Sequence, residues 1–245
     1  NNTNLDGNFS LNSSGYAKHY NTNIFEKVII NDFVFNSNSK FLNNGLKNNY
    51  NFLIKNTNSD AINSEKYSNS MNHSFASIFE FNSSYPLIKK DKLYKNILKP
   101  KMSLKLSPSN TKNMRNVNRR IDINNIFSLN RIGSNETVEG GASLTFGTEF
   151  SKINEFNKEI FGAKIATIYR PKKNNNLPTN SSLGNKTSDI VGSLNYSPNE
   201  IIKIGYDFSL DSNLSENNYQ LLGTEIKVNN FISTFEYLNE NNTNN

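Results

Sequence analysis

The sequence contains no cysteine and no tryptophan, only 2 histidines, 12 glycines and 6 prolines in 245 residues, and its hydrophobic content is just 35%. Absence of cysteine excludes disulfide frameworks, thiolate nucleophiles and every zinc site that needs sulfur. His19 and His73 stand in no His-Glu-x-x-His or triad spacing, so a histidine-based metal centre or general base has little to be built from. Both read as surface or groove residues. No catalytic, metal or cofactor-binding residue is assigned, and the chain is not read as an enzyme. No apolar run approaches the ~20 residues of a membrane helix, and the opening NNTNLDGNFS lacks the basic and apolar regions of a signal peptide. Membrane β-strands, by contrast, need only about ten residues of alternation and leave almost no hydropathy signal.

What is present is asparagine, about a fifth of the chain, and a basic surplus of 27 Lys and Arg over 21 Asp and Glu. The first follows from an AT-rich coding sequence without any selection for function, and the second suits any anionic partner. The informative signal is a two-residue period that recurs along the chain. From Leu98 to Ser107, Leu98, Pro100, Met102, Leu104 and Leu106 alternate with Lys99, Lys101, Ser103, Lys105 and Ser107. From Thr137 to Phe150, Val138, Ala142, Leu144, Phe146 and Phe150 oppose Thr137, Glu139, Ser143, Thr145 and Glu149. Phe161, Ala163, Ile165, Thr167 and Tyr169 then oppose Lys164 and Arg170, and Ile202, Ile204, Tyr206 and Phe208 oppose Lys203, Asp207 and Ser209. Two further strands centre on Leu222 to Val228 and on Phe231 to Tyr237.

Such alternation fits a sandwich with its apolar faces inside or a membrane barrel with its apolar face outside. Among the downstream strands, short links (Ser197 to Glu200, Asn229 to Asn230) alternate with long ones (Ser107 to Glu136, Pro171 to Lys186, Ser212 to Asn218). Sorting of links by length is expected of an outer-membrane barrel and not of a sandwich. Upstream, Leu5, Phe9 and Leu11 mark one strand, Val28, Ile30 and Val34 or Phe33 and Phe35 a second, Leu46, Tyr50, Phe52 and Ile54 a third, and Phe75, Phe79 and Phe81 a fourth. The expectation is therefore an all-β, antiparallel up-and-down transmembrane β-barrel. It would have about eleven strands, an odd number that points to a fragment of a larger barrel spanning 1–245.

The stretch from Asn113 to Gly147 differs from the polar filler of Pro171 to Lys186, because an apolar knot of Ile126, Phe127 and Leu129 sits amid Arg119, Arg120 and Arg131. A loop with its own apolar anchors folds back onto something, so the long 107–136 loop is expected to be extracellular and folded back. Here the sequence resembles the C-terminal barrel domain of the LptD family. The resemblance rests on Ile97 to Pro108 (ILKPKMSLKLSP), Asp122 to Phe127 (DINNIF), the Asn130-Arg131 pair, Glu139-Gly140-Gly141 and the strand ending Thr145-Phe146-Gly147. It continues in Tyr169-Arg170-Pro171 and in Ser188 to Gly192 (SDIVG), and is specific from about Ile97 to Asp211. Members often carry Gly-x-Asp-Arg after the Asn-Arg pair, where this chain has Ser134, Asn135, Glu136 and Thr137.

The resemblance implies an outer-membrane protein of a Gram-negative bacterium. It implies a large barrel, plugged by an LptE-type lipoprotein, that receives lipopolysaccharide from a periplasmic Lpt bridge through an N-terminal domain not visible here and releases it into the outer leaflet. Outer-membrane lipid would surround the wall, and nucleic acid is not an expected partner. Candidate lumen-facing residues are Lys99, Lys101, Lys105, Lys164, Arg170, Lys203 and Asp207. They read either as cationic partners of phosphates and acidic sugars or as solvated wall residues balanced by Glu139, Glu149 and Asp207. Candidate structural loop residues are Arg119, Arg120, Asp122, Phe127, Asn130, Arg131, Glu136, Glu139, Gly140 and Gly141, with the arginines paired to Asp122, Glu136 or Glu139. Other barrel types, a porin or a receptor, and a soluble β-rich adhesin are the competing readings.

Overall fold

The computed structural model describes residues 6–20 and 23–241; Leu5 lies outside them. Every long element is a strand: β1 (Gly7–Tyr20), β2 (Ile24–Ser37), β3 (Lys40–Phe41), β4 (Lys47–Ile62), β5 (Asn72–Ser84), β6 (Leu87–Lys90), β7 (Tyr94–Ser107), β8 (Gly141–Asn154), β9 (Glu159–Tyr169), β10 (Ile190–Tyr196), β11 (Ile202–Leu210), β12 (Asn217–Val228) and β13 (Phe231–Glu240). A 3-10 turn, Ser182–Gly184, is the only helical element among the described residues. All strands join one antiparallel sheet in the order β1-β2-β4-β5-β7-β8-β9-β10-β11-β12-β13, with β3 paired to β4 and β6 to β7. The eleven-strand path and its up-and-down order match the sequence expectation; β1 and β13 are not paired with each other.

The pleat decides which medium each side chain meets. Phe146 is 46% exposed while its neighbour Thr145 is fully buried, and Leu106 is 43% exposed while Lys105 is 3%. Exposed apolar and buried polar residues invert a soluble sandwich, in which the apolar faces of two sheets press together. The adhesin reading fails on this point, because Leu98, Phe146, Ile165, Leu194, Ile204, Phe235 and Tyr237 all stand open on the outer face. The outward apolar rows include residues near the start of β1 and the end of β2 (Phe9, Leu11, Phe33, Phe35). On β12 and β13 they run down to the hairpin end (Ile226, Val228, Phe231).

Links between the downstream strands sort by end. Residues 155–158, 197–201 and 229–230 close one end, and 108–140, 170–189 and 211–216 the other. Asn157 and Asn229 adopt positive φ (59° and 52°), the left-handed conformation that asparagine tolerates in tight hairpin turns. Upstream the sorting is weaker, since links 38–46 and 85–93 at the short-turn end carry β3 and β6. One strand boundary departs from expectation. β8 begins at Gly141 rather than Thr137, so Thr137, Val138 and Glu139 belong to the long loop, which extends to Gly140. Val138 is fully buried against Leu53 and Ile78 on the inner face instead of facing outward.

Because the chain lacks cysteine, single cysteines placed in it report unambiguously. Ile204→Cys is expected to resist hydrophilic maleimides in a bilayer and Lys203→Cys to react; equal labelling of the two would refute the two-medium sheet.

Candidate functional site

The 108–140 loop folds back onto the sheet and lies on its polar face. Two apolar contacts seat it. Met114, Ile121, Ile126 and Ile132 pack with Ala166, Ile168 and Val191 of β9 and β10, and with Leu177 and Leu183 of the 170–189 loop. Leu129 and Val138 pack with Leu53 of β4 and Ile78 of β5. These contacts explain why the polar parity of β4, β5, β9 and β10 is interrupted by apolar residues: each interruption is a landing point for the loop. Each anchor buries side-chain area worth roughly 1.5–3 kcal/mol before chain entropy is counted.

Between the apolar seats lies a cluster of buried charge. Glu139 binds two guanidiniums at once: Arg131 donates from Nε at 2.7 Å and from Nη2, and Arg170 donates from Nη2. Arg131, with no exposed surface, also donates to Thr145 Oγ1 (3.0 Å) and Ser143 Oγ (2.6 Å) of β8. Burial lowers its guanidinium to about 9, which leaves it protonated at neutral pH. Arg170 Nε donates to the Leu183 carbonyl (2.8 Å) and Nη1 to the Gly140 carbonyl (3.3 Å), tying the wall to both loops. Alongside, Lys105 of β7 lies 3.5 Å from Glu80 of β5 and donates to the carbonyls of Ser128 and Leu129. Glu80 in turn accepts from Asn51 (2.7 Å), Asn82 (3.0 Å) and Ser103 (3.1 Å).

Gly140 and Gly141 make the re-entry into β8 possible. A Cβ on Gly140 would stand 2.2 Å from the Ser109 carbonyl, and Gly141 has φ +88°. The 170–189 loop is not the polar filler expected from its composition. Asn174 and Asn176 side chains donate to Thr111, and Met114 N donates to the Asn176 carbonyl at 2.7 Å. Thr179 N donates to the Arg115 carbonyl (3.1 Å) and Asn180 Nδ2 to Asn118 Oδ1 (2.5 Å). The two loops therefore form one body.

The remaining candidates are dispersed around this cluster. Lys99 (3.5 Å) and Lys101 (2.8 Å) share Glu149, and Lys164 sits opposite Glu149 in the β8–β9 register. Lys101 Nζ also lies 4.3 Å from the Phe127 ring centroid. Lys203 pairs with Glu225 on the open inner wall, and Asp207 faces a small cavity below Arg120 to Asn124. Of the expected partners only Glu139 takes Arg131. Glu136 pairs with Lys66 at 3.6 Å, and Asp122 accepts from the backbone of Asn124 and Asn125 within its own turn. Arg119 donates to the Arg131 carbonyl (2.8 Å), while Arg120 stacks 3.5 Å over Tyr219 and meets Glu240. Asn130 Nδ2 donates to the Ser134 carbonyl (2.7 Å), closing the turn that aims Arg131. Thr137, at the position of the second family arginine, accepts from Lys112 N (3.1 Å).

Lys105 and Arg170, read from sequence as wall residues of a wet lumen, are instead sealed beneath the loop, and Glu139, read both as a balancing wall acid and as a loop residue, is a loop residue. Glu80 was missed, although its signal was available: it lies on the polar parity of its strand, opposite a lysine. Glu139→Gln, which strands two buried cations, is expected to cost about 3–5 kcal/mol. It should also lower the unfolding midpoint and expose Arg119 and Lys112 to trypsin. Glu200→Gln, in the exposed pair with Lys158, should change neither measurement.

No curated protein matches the sequence. A family model described as "LptD: LPS transport system D" matches residues 31–245, which takes in every strand from within β2 to β13 and the whole charged cluster. A polar inner wall, an apolar outer wall and the 31–245 match together place the chain in the LptD family of Gram-negative outer-membrane lipopolysaccharide-transport proteins.

Proposed function

We propose that this chain forms part of the barrel wall through which lipopolysaccharide passes into the outer leaflet, as a physical path and not as a site of bond making. The observation that carries this reading is the separation of media across a single strand: Leu98, Leu104 and Leu106 outside, Lys99, Lys101 and Lys105 inside. Lipopolysaccharide has an anionic saccharide head and acyl tails, and such a wall offers water to one and oil to the other. On the inner side, by the 108–140 loop, a cavity of about 320 Å³ is lined by Lys47, Lys99 and Lys101, by the single acid Glu80, and by Phe127 and Leu129. Three lysines and two apolar groups suit a phosphorylated, partly apolar ligand.

The folded-back loops speak against a diffusion porin, which needs an open lumen. They also leave the short-turn end of the inner wall, with Lys203 and Glu225 exposed, free for an LptE-type plug and for delivery from a periplasmic Lpt bridge.

Depletion of the full-length protein is expected to strand newly made lipopolysaccharide at the inner membrane; normal surface delivery would overturn the proposal. Arg131→Ala, by loosening the loop seal, should raise permeability to large antibiotics, and unchanged permeability would reduce Arg131 to a local stabiliser.

A further inference from the structure

On the outer face of β7 every position from Leu106 through Leu104, Met102 and Pro100 to Leu98 is apolar, and the facing β8 positions are Ala142, Leu144, Phe146, Thr148 and Phe150. At about 3.3 Å per residue and a tilt of about 40°, that run rises on the order of 20 Å, most of the ~25 Å apolar band of a membrane barrel. One row further toward the short-turn end the chemistry changes. Lys89 of β6, Asn96 of β7 and Lys152 of β8 stand side by side, next to Phe161 of β9. Phe150 and Phe161 pack at 6.0 Å across this boundary, and Lys152 Nζ lies 4.2 Å from the ring centroid of Tyr94. Beyond it the sheet ends, where Asn154 Oδ1 accepts from Phe156 N and Lys158 N (both 3.0 Å) to close the 155–158 turn.

The two faces treat their lysines differently at this end. On the inner face Lys99 (3.5 Å) and Lys101 (2.8 Å) both meet Glu149. On the outer face neither Lys89 nor Lys152 enters an ion pair among the described residues, whereas Lys158 of the adjoining turn is taken by Glu200. Around them Lys90, Lys92 and Lys95 outnumber the acids of the adjoining turns, Asp91 and Glu155. The wall neutralises the cations it turns inward and leaves the outward pair for a counter-charge from outside the protein.

We infer that Lys89 and Lys152 form a headgroup site for a net-anionic glycerophospholipid of the periplasmic leaflet. The site rests on the two-medium wall and lies apart from the transport path and its glycolipid, because the short turns of a barrel face the periplasm. A lipid whose acyl chains lie along Leu87, Leu98 and Phe150 brings its phosphate level with the next row. There two ammonium groups on the strands flanking β7, about 10 Å apart at two strand spacings, reach it from either side along their flexible stems. The Tyr94 ring beside Lys152 suits the same interfacial level, where aromatic side chains meet both oil and water. Cations without a protein partner favour a headgroup of net negative charge over a zwitterionic one. An acidic soluble protein fits less well, because the lysines point sideways from the wall, next to the apolar rows, and not along the barrel axis.

Full-length protein carrying a photoreactive residue at Asn96, reconstituted in vesicles of equal phosphatidylcholine and phosphatidylglycerol, tests this. The probe is expected to capture phosphatidylglycerol several-fold above its share of the bilayer, with the excess shrinking as salt is added. A probe at Leu104 should capture the two lipids in proportion. Lys89→Gln combined with Lys152→Gln should bring the Asn96 probe back to proportion, whereas Lys89→Arg combined with Lys152→Arg should preserve the excess. Proportional capture at Asn96 with both lysines present, an excess that survives the glutamine pair, or displacement of phosphatidylglycerol by added lipopolysaccharide would overturn the inference. So would crosslinking of the Asn96 probe in cells to protein alone. Failure of the Leu104 probe to capture lipid would instead overturn the two-medium wall on which the site rests.

Discussion

One carboxylate, Glu139, holds the interior together. It sits between Arg131 of the loop and Arg170 immediately after β9, and through them it reaches β8, the Gly140 carbonyl and the Leu183 carbonyl of the second loop. Were it absent, two guanidiniums would stand uncompensated in a space closed to water. The cluster is not neutral: Arg131, Arg170 and Lys105 meet only Glu139 and Glu80. The excess cation is held by neutral acceptors, the carbonyls of Ser128, Leu129 and Leu183 and the hydroxyls of Ser143 and Thr145. Charge-assisted bonds to such groups are stronger than neutral ones, which is how a surplus cation is tolerated at this depth.

The alternation of β7 was legible because lysine and leucine share no environment; whichever side the leucines face, the lysines face the other. β9 was harder. Its inward positions Ala166 and Ile168 are apolar, and the sequence pattern gave no way to see that a loop covers them. The same blindness hid the 170–189 loop, whose asparagines looked like filler yet bond across to Thr111 and Asn118, while Leu177 and Leu183 reach the core. Periodicity reports local medium, and in a plugged barrel that medium is set by residues distant in sequence. The partner of Arg131 illustrates the point: three acids lay nearby, and only the fold selected Glu139.

A seal made of ions differs from one made of leucines in a way that bears on transport. Apolar residues of similar volume would hold the loop at least as firmly, since desolvation offsets much of what a buried pair gains. They would also leave a greasy lumen whenever the loop moved, and anionic sugars would have no polar wall to pass. With arginine, glutamate and lysine at the seam, each freed group is one that water or a saccharide acid can solvate at once. The apolar seats at Ile126 and Val138 set the loop's position, and the ionic seam sets its register. On the proposed path, a wall that closes against solutes and admits a charged glycolipid is better served by that division than by a continuous hydrophobic core.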